Sequence, residues 1–192
     1  MLPQNKEILW SLPFLKITLE TNMFCDPQQL SKMRLGATLS WTNEFPVKPG
    51  TLDAAFDVAW EILRSKALSP MSFVPAITSV NILREYGDGS FRRMIVRHGC
   101  ELVQDVLPHK ATGTIRFNHV DDPDTNAIIN HLSRSEADRL SYSMAIETSH
   151  DWTKRAYGDA SLFAAQDTYF THMLETATQR LKDLLSAKGY AE

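Results

Sequence analysis

From residue 34 onward the chain alternates. Leu35, Ala37, Leu39, Trp41 and Phe45 fall on one parity, and Gly36, Thr38, Ser40, Thr42 and Glu44 on the other. That is the period-two signature of a half-buried strand. Pro46, Pro49 and Gly50 close it, and the spacing then changes to threes and fours. Leu52, Ala55, Phe56, Ala59, Ile62 and Leu63 form one stripe, which predicts a helix over 51–68 with Thr51 as N-cap and Asp53 near its positive end. Period two returns in six segments, 78–86, 90–98, 101–107, 111–119, 125–133 and 139–148. They are punctuated by Gly87-Asp88-Gly89, His98-Gly99, Pro108-His109 and Asp121-Asp122-Pro123-Asp124. The last element is a helix over 159–188. Leu162, Gln166, Tyr169, Met173, Ala177, Leu181 and Leu184 make its stripe, Asp159 caps its start and Gly189 ends it.

Strand, helix, six hairpin-linked strands and a long final helix predict an α+β fold. The economical packing is one curved antiparallel sheet of about seven strands wrapped around the C-terminal helix. Residues 1–33 look unlike the rest: Pro3, Pro13 and Pro27 break any long element, although Leu12, Phe14, Leu15, Ile17 and Leu19 can pack as one short piece. They read as a partly ordered N-terminal extension laid over the domain, and the domain itself as residues 34–192. Met33, just before the first clean strand, also suits an alternative translation start.

The element order and several local motifs resemble the START-like helix-grip superfamily (SRPBCC), and within it the AtaL-like subfamily of fungal and bacterial proteins. The motifs are the first strand ending Trp41 to Pro46, the helix closing in Pro70-Met71-Ser72-Phe73-Val74-Pro75, the turn Pro108-His109-Lys110, and the late-strand segment Asn126-Ala127-Ile128-Ile129-Asn130. The likeness covers about residues 34–187. It implies a cavity between sheet and C-terminal helix that holds a hydrophobic small molecule. Some members of the subfamily lie in secondary-metabolite gene clusters. The superfamily spans lipid carriers, hormone receptors, polyketide aromatase/cyclases and chaperone activators, so function must be argued from the cavity.

Strand parity selects the candidates for that cavity. The inward set is Leu35, Ala37, Leu39, Trp41, Asn43 and Phe45, with Val80, Ile82, Met94, Val96, Ile115, Phe117, His119, Leu140, Tyr142, Met144 and Ile146. Trp41, Asn43, Met94, Phe117 and Met144 are the expected ligand-binding residues of the sheet, joined by Gln166, His172 and Met173 of the last helix. Tyr142, His119 and Tyr169 are the candidate catalytic groups, as hydrogen-bond donors or as acid and base. The plainer alternatives stay open: a tyrosine bonded to core backbone, a histidine solvated at its strand end, a helix interface. Arg92 and Arg97 fall on opposite parities, so one of them can face inward and suit a carboxylate or enolate.

Composition narrows the classes. A formal net charge of −3 and no long basic run argue against nucleic acid. No apolar run reaches membrane length, and Lys6, Glu7, Lys16 and Glu20 interrupt the N-terminus too often for a signal core. Cys25 and Cys100 make no metal spacing and no disulfide framework, which fits a reducing, cytoplasmic setting. No nucleophile elbow, P-loop or metalloprotease helix occurs, and Gly87-Asp88-Gly89 lacks the third glycine of a dinucleotide fingerprint. Asp121, Asp122 and Asp124 lack the acid that ends a calcium loop. His150-Asp151 has no third metal ligand nearby. The expectation is therefore a protein without cofactor or metal whose partner is a hydrophobic small molecule; a homodimer is left open. The resemblance adds the expectation that it promotes a cyclisation, isomerisation or dehydration in polyketide-type secondary metabolism. The alternatives are a carrier for a lipid-like metabolite and a chaperone-activator-like interaction module.

Overall fold

The computed structural model describes residues 16–20 and 36–191. The elements run β1 (Lys16–Glu20), β2 (Gly36–Pro46), α1 (Leu52–Leu68), β3 (Ile77–Glu85), β4 (Phe91–Arg97), β5 (Cys100–His109), β6 (Thr114–His119), β7 (Thr125–Ser135), β8 (Arg139–Thr148), α2 (His150–Gly158) and α3 (Ala160–Ala187). All strands join one antiparallel sheet in the order β1-β2-β8-β7-β6-β5-β4-β3. The seven expected strands are there, and β3 to β8 run as consecutive neighbours. Their curved sheet grips α3, as a helix-grip fold requires. An eighth strand, β1, comes from the N-terminal extension and pairs with β2 from Lys16↔Ser40 to Glu20↔Gly36. The rest of the extension, with Cys25 and Met33, lies outside the described residues, and so does Leu35 at the start of the domain.

Three local expectations change. Thr51 sits at the N-cap of α1 but its side chain does not cap; its hydroxyl donates to the Lys48 carbonyl at 2.7 Å instead. Pro108 and His109 still belong to β5, opposite Ile115 and Thr114, and the turn comes later, in the short 3-10 helix Lys110–Thr112. Between β8 and α3 the chain forms α2, where the sequence pattern predicts no helix. Ser149 caps it by accepting the Trp152 amide at 3.1 Å, and the buried Trp152 ring meets Phe163 edge-on at 5.3 Å.

The final helix behaves as its pattern predicts. Asp159 accepts the Ser161 amide at 2.9 Å, and Gly189 takes a left-handed φ of 83° where the helix unwinds. Its C-terminal half buries Ala177, Leu181 and Leu185 as plain core. Thr178 is buried there too, and its hydroxyl has no hydrogen-bond partner. An unmet buried hydroxyl costs about 1 kcal/mol or more. Thr178→Val, which keeps the shape and removes the oxygen, is expected to stabilise the fold by roughly that amount, read as a raised thermal midpoint.

Candidate functional site

The N-terminal half of α3 stands off the sheet enough to leave a cavity of about 60 Å³. Its apolar wall includes Ile95, Phe117, Ile128, Met144, Phe170 and Met173; its polar lining is Lys66, Arg93, Arg97, Gln104, Asn130 and Tyr169. The space holds water-sized molecules as it stands. Sites for drug-sized ligands run to about 300 Å³ and more, so a larger guest must displace α3 side chains such as Tyr169 and Met173.

Two buried polar clusters meet at this wall. Lys66 lies on the stripe of α1, one turn after Ile62 and Leu63, and is 6% exposed. Its Nζ donates to Asn130 Oδ1 at 2.8 Å and to Tyr142 Oη at 2.7 Å. Tyr142 in turn donates its hydroxyl proton to Asn130 Oδ1. Leu132 is the cross-strand partner of Tyr142, so Asn130 is its diagonal neighbour on β7. Burial, and secondly the Arg93 charge, bring the Lys66 pKa down from 10.5 to about 7. Burial pushes the Tyr142 phenol well above its ordinary value of 10.0, so it remains a protonated donor.

The second cluster is a ladder across three strands. Arg93 pairs with Gln104, and Gln104 with His119, as direct cross-strand neighbours. Arg93 donates from Nε and Nη2 to Gln104 Oε1 at 3.0 and 2.8 Å, and from Nη1 to the Ala67 carbonyl. Its guanidinium also lies 4.8 Å from the Phe117 ring centre. Arginine only donates, so Gln104 must present its oxygen to Arg93 and its amide hydrogens to His119 Nε2, 2.8 Å away. The His119 proton then sits on Nδ1 and is donated to Asp122 Oδ2 at 2.9 Å. Burial alone raises the Asp122 pKa. Hydrogen bonds from His119 and from the Asp124 and Thr125 amides outweigh it and hold the carboxylate down to about 2. Burial lowers Arg93 to about 10.

These contacts relocate much of what the sequence suggested. Phe117, Met144, Tyr169 and Met173 line the cavity. Tyr142 is wholly buried one layer behind it and reaches it through Lys66 and Asn130. His119, its side chain 1% exposed, is neither solvated at the strand end nor open to a ligand; Gln104 stands between. Trp41 and Asn43 face a separate cleft with Leu174 and Glu175. Trp41 stacks on Phe170 at 4.7 Å and donates its indole N–H to Asp167 at 2.8 Å. Gln166 is half-buried beyond the cavity, and His172 is exposed on the outer face of α3. Met94 is corrected: β4 turns Phe91, Arg93 and Ile95 inward, which sends Met94 and Val96 to the other face. Arg92 also points outward, into a bidentate pair with Asp105 at 2.7 Å, whereas Arg97 borders the cavity.

Lys66, Arg93, Gln104 and Asn130 were not anticipated. A helical stripe that continues to Lys66 was the available signal for the first. An arginine between Phe91 and Ile95 on one parity was the signal for the second. Among the described residues no three His, Cys, Asp or Glu side chains gather as a metal site, and no helix is long and apolar enough to cross a membrane.

The model of the family described as AtaL, acetylaranotin biosynthesis cluster protein L, matches residues 52–184. Among solved structures the chain is similar to the ZhuI aromatase/cyclase from Streptomyces sp. R1128, with a TM-score of 0.51 and 14% identity over 76% of this chain and 96% of that one. A protein from Thermus thermophilus aligns with a TM-score of 0.51 and 11% identity over 79% of this chain and 98% of that one. One from Bacillus thuringiensis gives 0.51 and 12% over 75% and 98%. At such identities the likeness establishes the START-like helix-grip fold. No protein of curated function matches the chain.

Proposed function

The chain belongs to the family of acetylaranotin biosynthesis cluster protein L, and on that footing we propose that its cavity binds a hydrophobic biosynthetic intermediate. There the protein promotes a cofactor-independent cyclisation, isomerisation or dehydration of the polyketide type. The observation that carries this reading is the pair Lys66 and Arg93, the two buried cations at the wall of a cavity whose lining is mostly apolar.

Such a wall has two effects on a flexible intermediate. Phe117, Phe170, Met144 and Met173 hold it folded, so reacting carbons meet without a further entropy cost. A carbonyl oxygen set against Lys66 or Arg93 is polarised, and negative charge developing on it is stabilised by fixed donors in a water-poor space. Tyr169 offers a hydroxyl from α3. Tyr142 and His119 position other groups: the first holds Lys66, the second holds Gln104 and through it Arg93.

Turnover of a poly-β-keto thioester mimic, followed by liquid chromatography and mass spectrometry, tests the reading. Wild-type protein is expected to accelerate product formation, and Arg93→Met to lose on the order of a hundredfold of that acceleration. Tyr142→Phe removes an acceptor that favours the Lys66 ammonium, so its pH–rate profile is expected to move toward lower pH. Product formation that ignores the protein, or that survives Arg93→Met undiminished, would sink the proposal. Stoichiometric binding without turnover would mark a carrier.

A further inference from the structure

Lys66 and Arg93 are the buried charged residues of the described chain, at 6% and 4% exposure. Neither hydrogen-bonds or ion-pairs with a carboxylate. The charged side chains that line the cavity are Lys66, Arg93 and Arg97, all of one sign. Asp122, the one carboxylate in the network, is held by His119 at the far end of the ladder, with Gln104 and the imidazole between it and Arg93. Buried charges are ordinarily matched, because an unmatched one carries most of its desolvation penalty.

The donors are unmatched as well. Arginine has five N–H groups. Two meet Gln104 and one meets the Ala67 carbonyl, leaving one on each of Nη1 and Nη2. The Lys66 amine uses two hydrogens on Asn130 and Tyr142. As an ammonium it has a third, and no protein acceptor takes it. A cluster of buried cationic donors to which the protein itself supplies no further acceptor, on the wall of a cavity, is chemically suited to receive an anion.

We infer that the cavity's ligand carries a carboxylate, held between Lys66 and Arg93, with an aromatic body lying against Phe117, Ile95 and Phe170. The inference rests on the cavity being the ligand site and adds the class of ligand: an aromatic or polyene acid rather than a neutral lipid. A carboxylate supplies two oxygens for the spare guanidinium hydrogens and the ammonium. It also brings a negative charge to Lys66, which otherwise faces the positive Arg93 and Arg97 of β4 and the neutral phenols of Tyr142 on β8 and Tyr169 on α3. Binding is therefore coupled to proton uptake by Lys66 at mildly alkaline pH.

Calorimetric titration of the full chain with 2-naphthoate and with 2-naphthalenemethanol, which share one ring system, tests this. The acid is expected to bind at least about tenfold more tightly than the alcohol. At pH 8, titrations in buffers of different ionisation enthalpy are expected to show most of one proton taken up per acid bound, and none per alcohol. Arg93→Met is expected to erase the acid's advantage, and Lys66→Met the proton uptake. The wild-type comparison stands even if a variant does not fold. Equal binding of acid and alcohol overturns the inference and leaves the cavity reading intact. Binding of neither overturns both.

Discussion

Gly113→Ala is expected to unfold the domain or to destabilise it by more than about 3 kcal/mol, the largest effect of any glycine-to-alanine change in this chain. Gly113 follows the Lys110–Thr112 turn with φ of 65°, in the left-handed region. That strain alone would cost about 1 kcal/mol. The decisive cost is space. A Cβ built there overlaps the backbone carbonyl oxygen of Leu132 and crowds the carbonyl carbon at 3.1 Å. The obstacle is a strand backbone, which cannot rotate aside as a side chain would. The Gly113 carbonyl also accepts the Leu132 amide at 2.8 Å, so moving either strand breaks the ladder between β6 and β7. Denaturant unfolding of Gly113→Ala beside a Gly89→Ala control measures this. Gly89 also has a positive φ, 83°, but open space around its α-carbon. Equal losses for the two would show that strain, not overlap, sets the cost.

Lys66→Met is expected to raise stability at and below pH 6 and to lose that advantage as pH rises. The folded-state pKa of Lys66 is about 7 against 10.5 for the unfolded chain. Below the lower value both states carry the proton, and the folded state bears the full cost of a buried ammonium. Between the two values the unfolded chain holds a proton that the folded protein has released, so wild-type stability climbs with pH. Between pH 6 and pH 9 the gap between variant and wild type is expected to shrink by roughly 2 to 3 kcal/mol. Methionine leaves little unsatisfied, since Tyr142 still donates to Asn130. Urea titrations across that pH range provide the measurement, and a constant gap would show that Lys66 is not desolvated in the folded protein. A residue whose removal stabilises a protein is a residue held for some other purpose.

Residues 36–191 were legible from the sequence wherever one periodicity ran uninterrupted. β2, α1, the six-strand meander and α3 follow from alternation and from three-and-four spacing, because burial of a single face imposes those periods regardless of what lies opposite. Capping of α3 by Asp159 was equally local. β1 was legible only as a short piece that could pack: five residues carry too little pattern to name a strand, and its strand character depends on the edge of β2 that receives it. α2 escaped for a related reason, since two turns of helix give too few repeats of a stripe.

The site divides along the same line. Phe117, Met144, Tyr169 and Met173 border the cavity because strand parity and helix stripe point them inward. Met94 went wrong by one residue, and with period two one residue exchanges the faces. Lys66 and Arg93 hold positions that sequence patterning reserves for apolar residues. That they are tolerated there depends on Asn130, Tyr142 and Gln104, brought from β7, β8 and β5 by the sheet's register. Local periodicity is enough to place the curved sheet, the gripping helix and most of the apolar wall. That two buried cations share this wall without a carboxylate partner emerges only in the folded chain, because hydrogen-bond satisfaction of a buried charge depends on residues tens of positions apart.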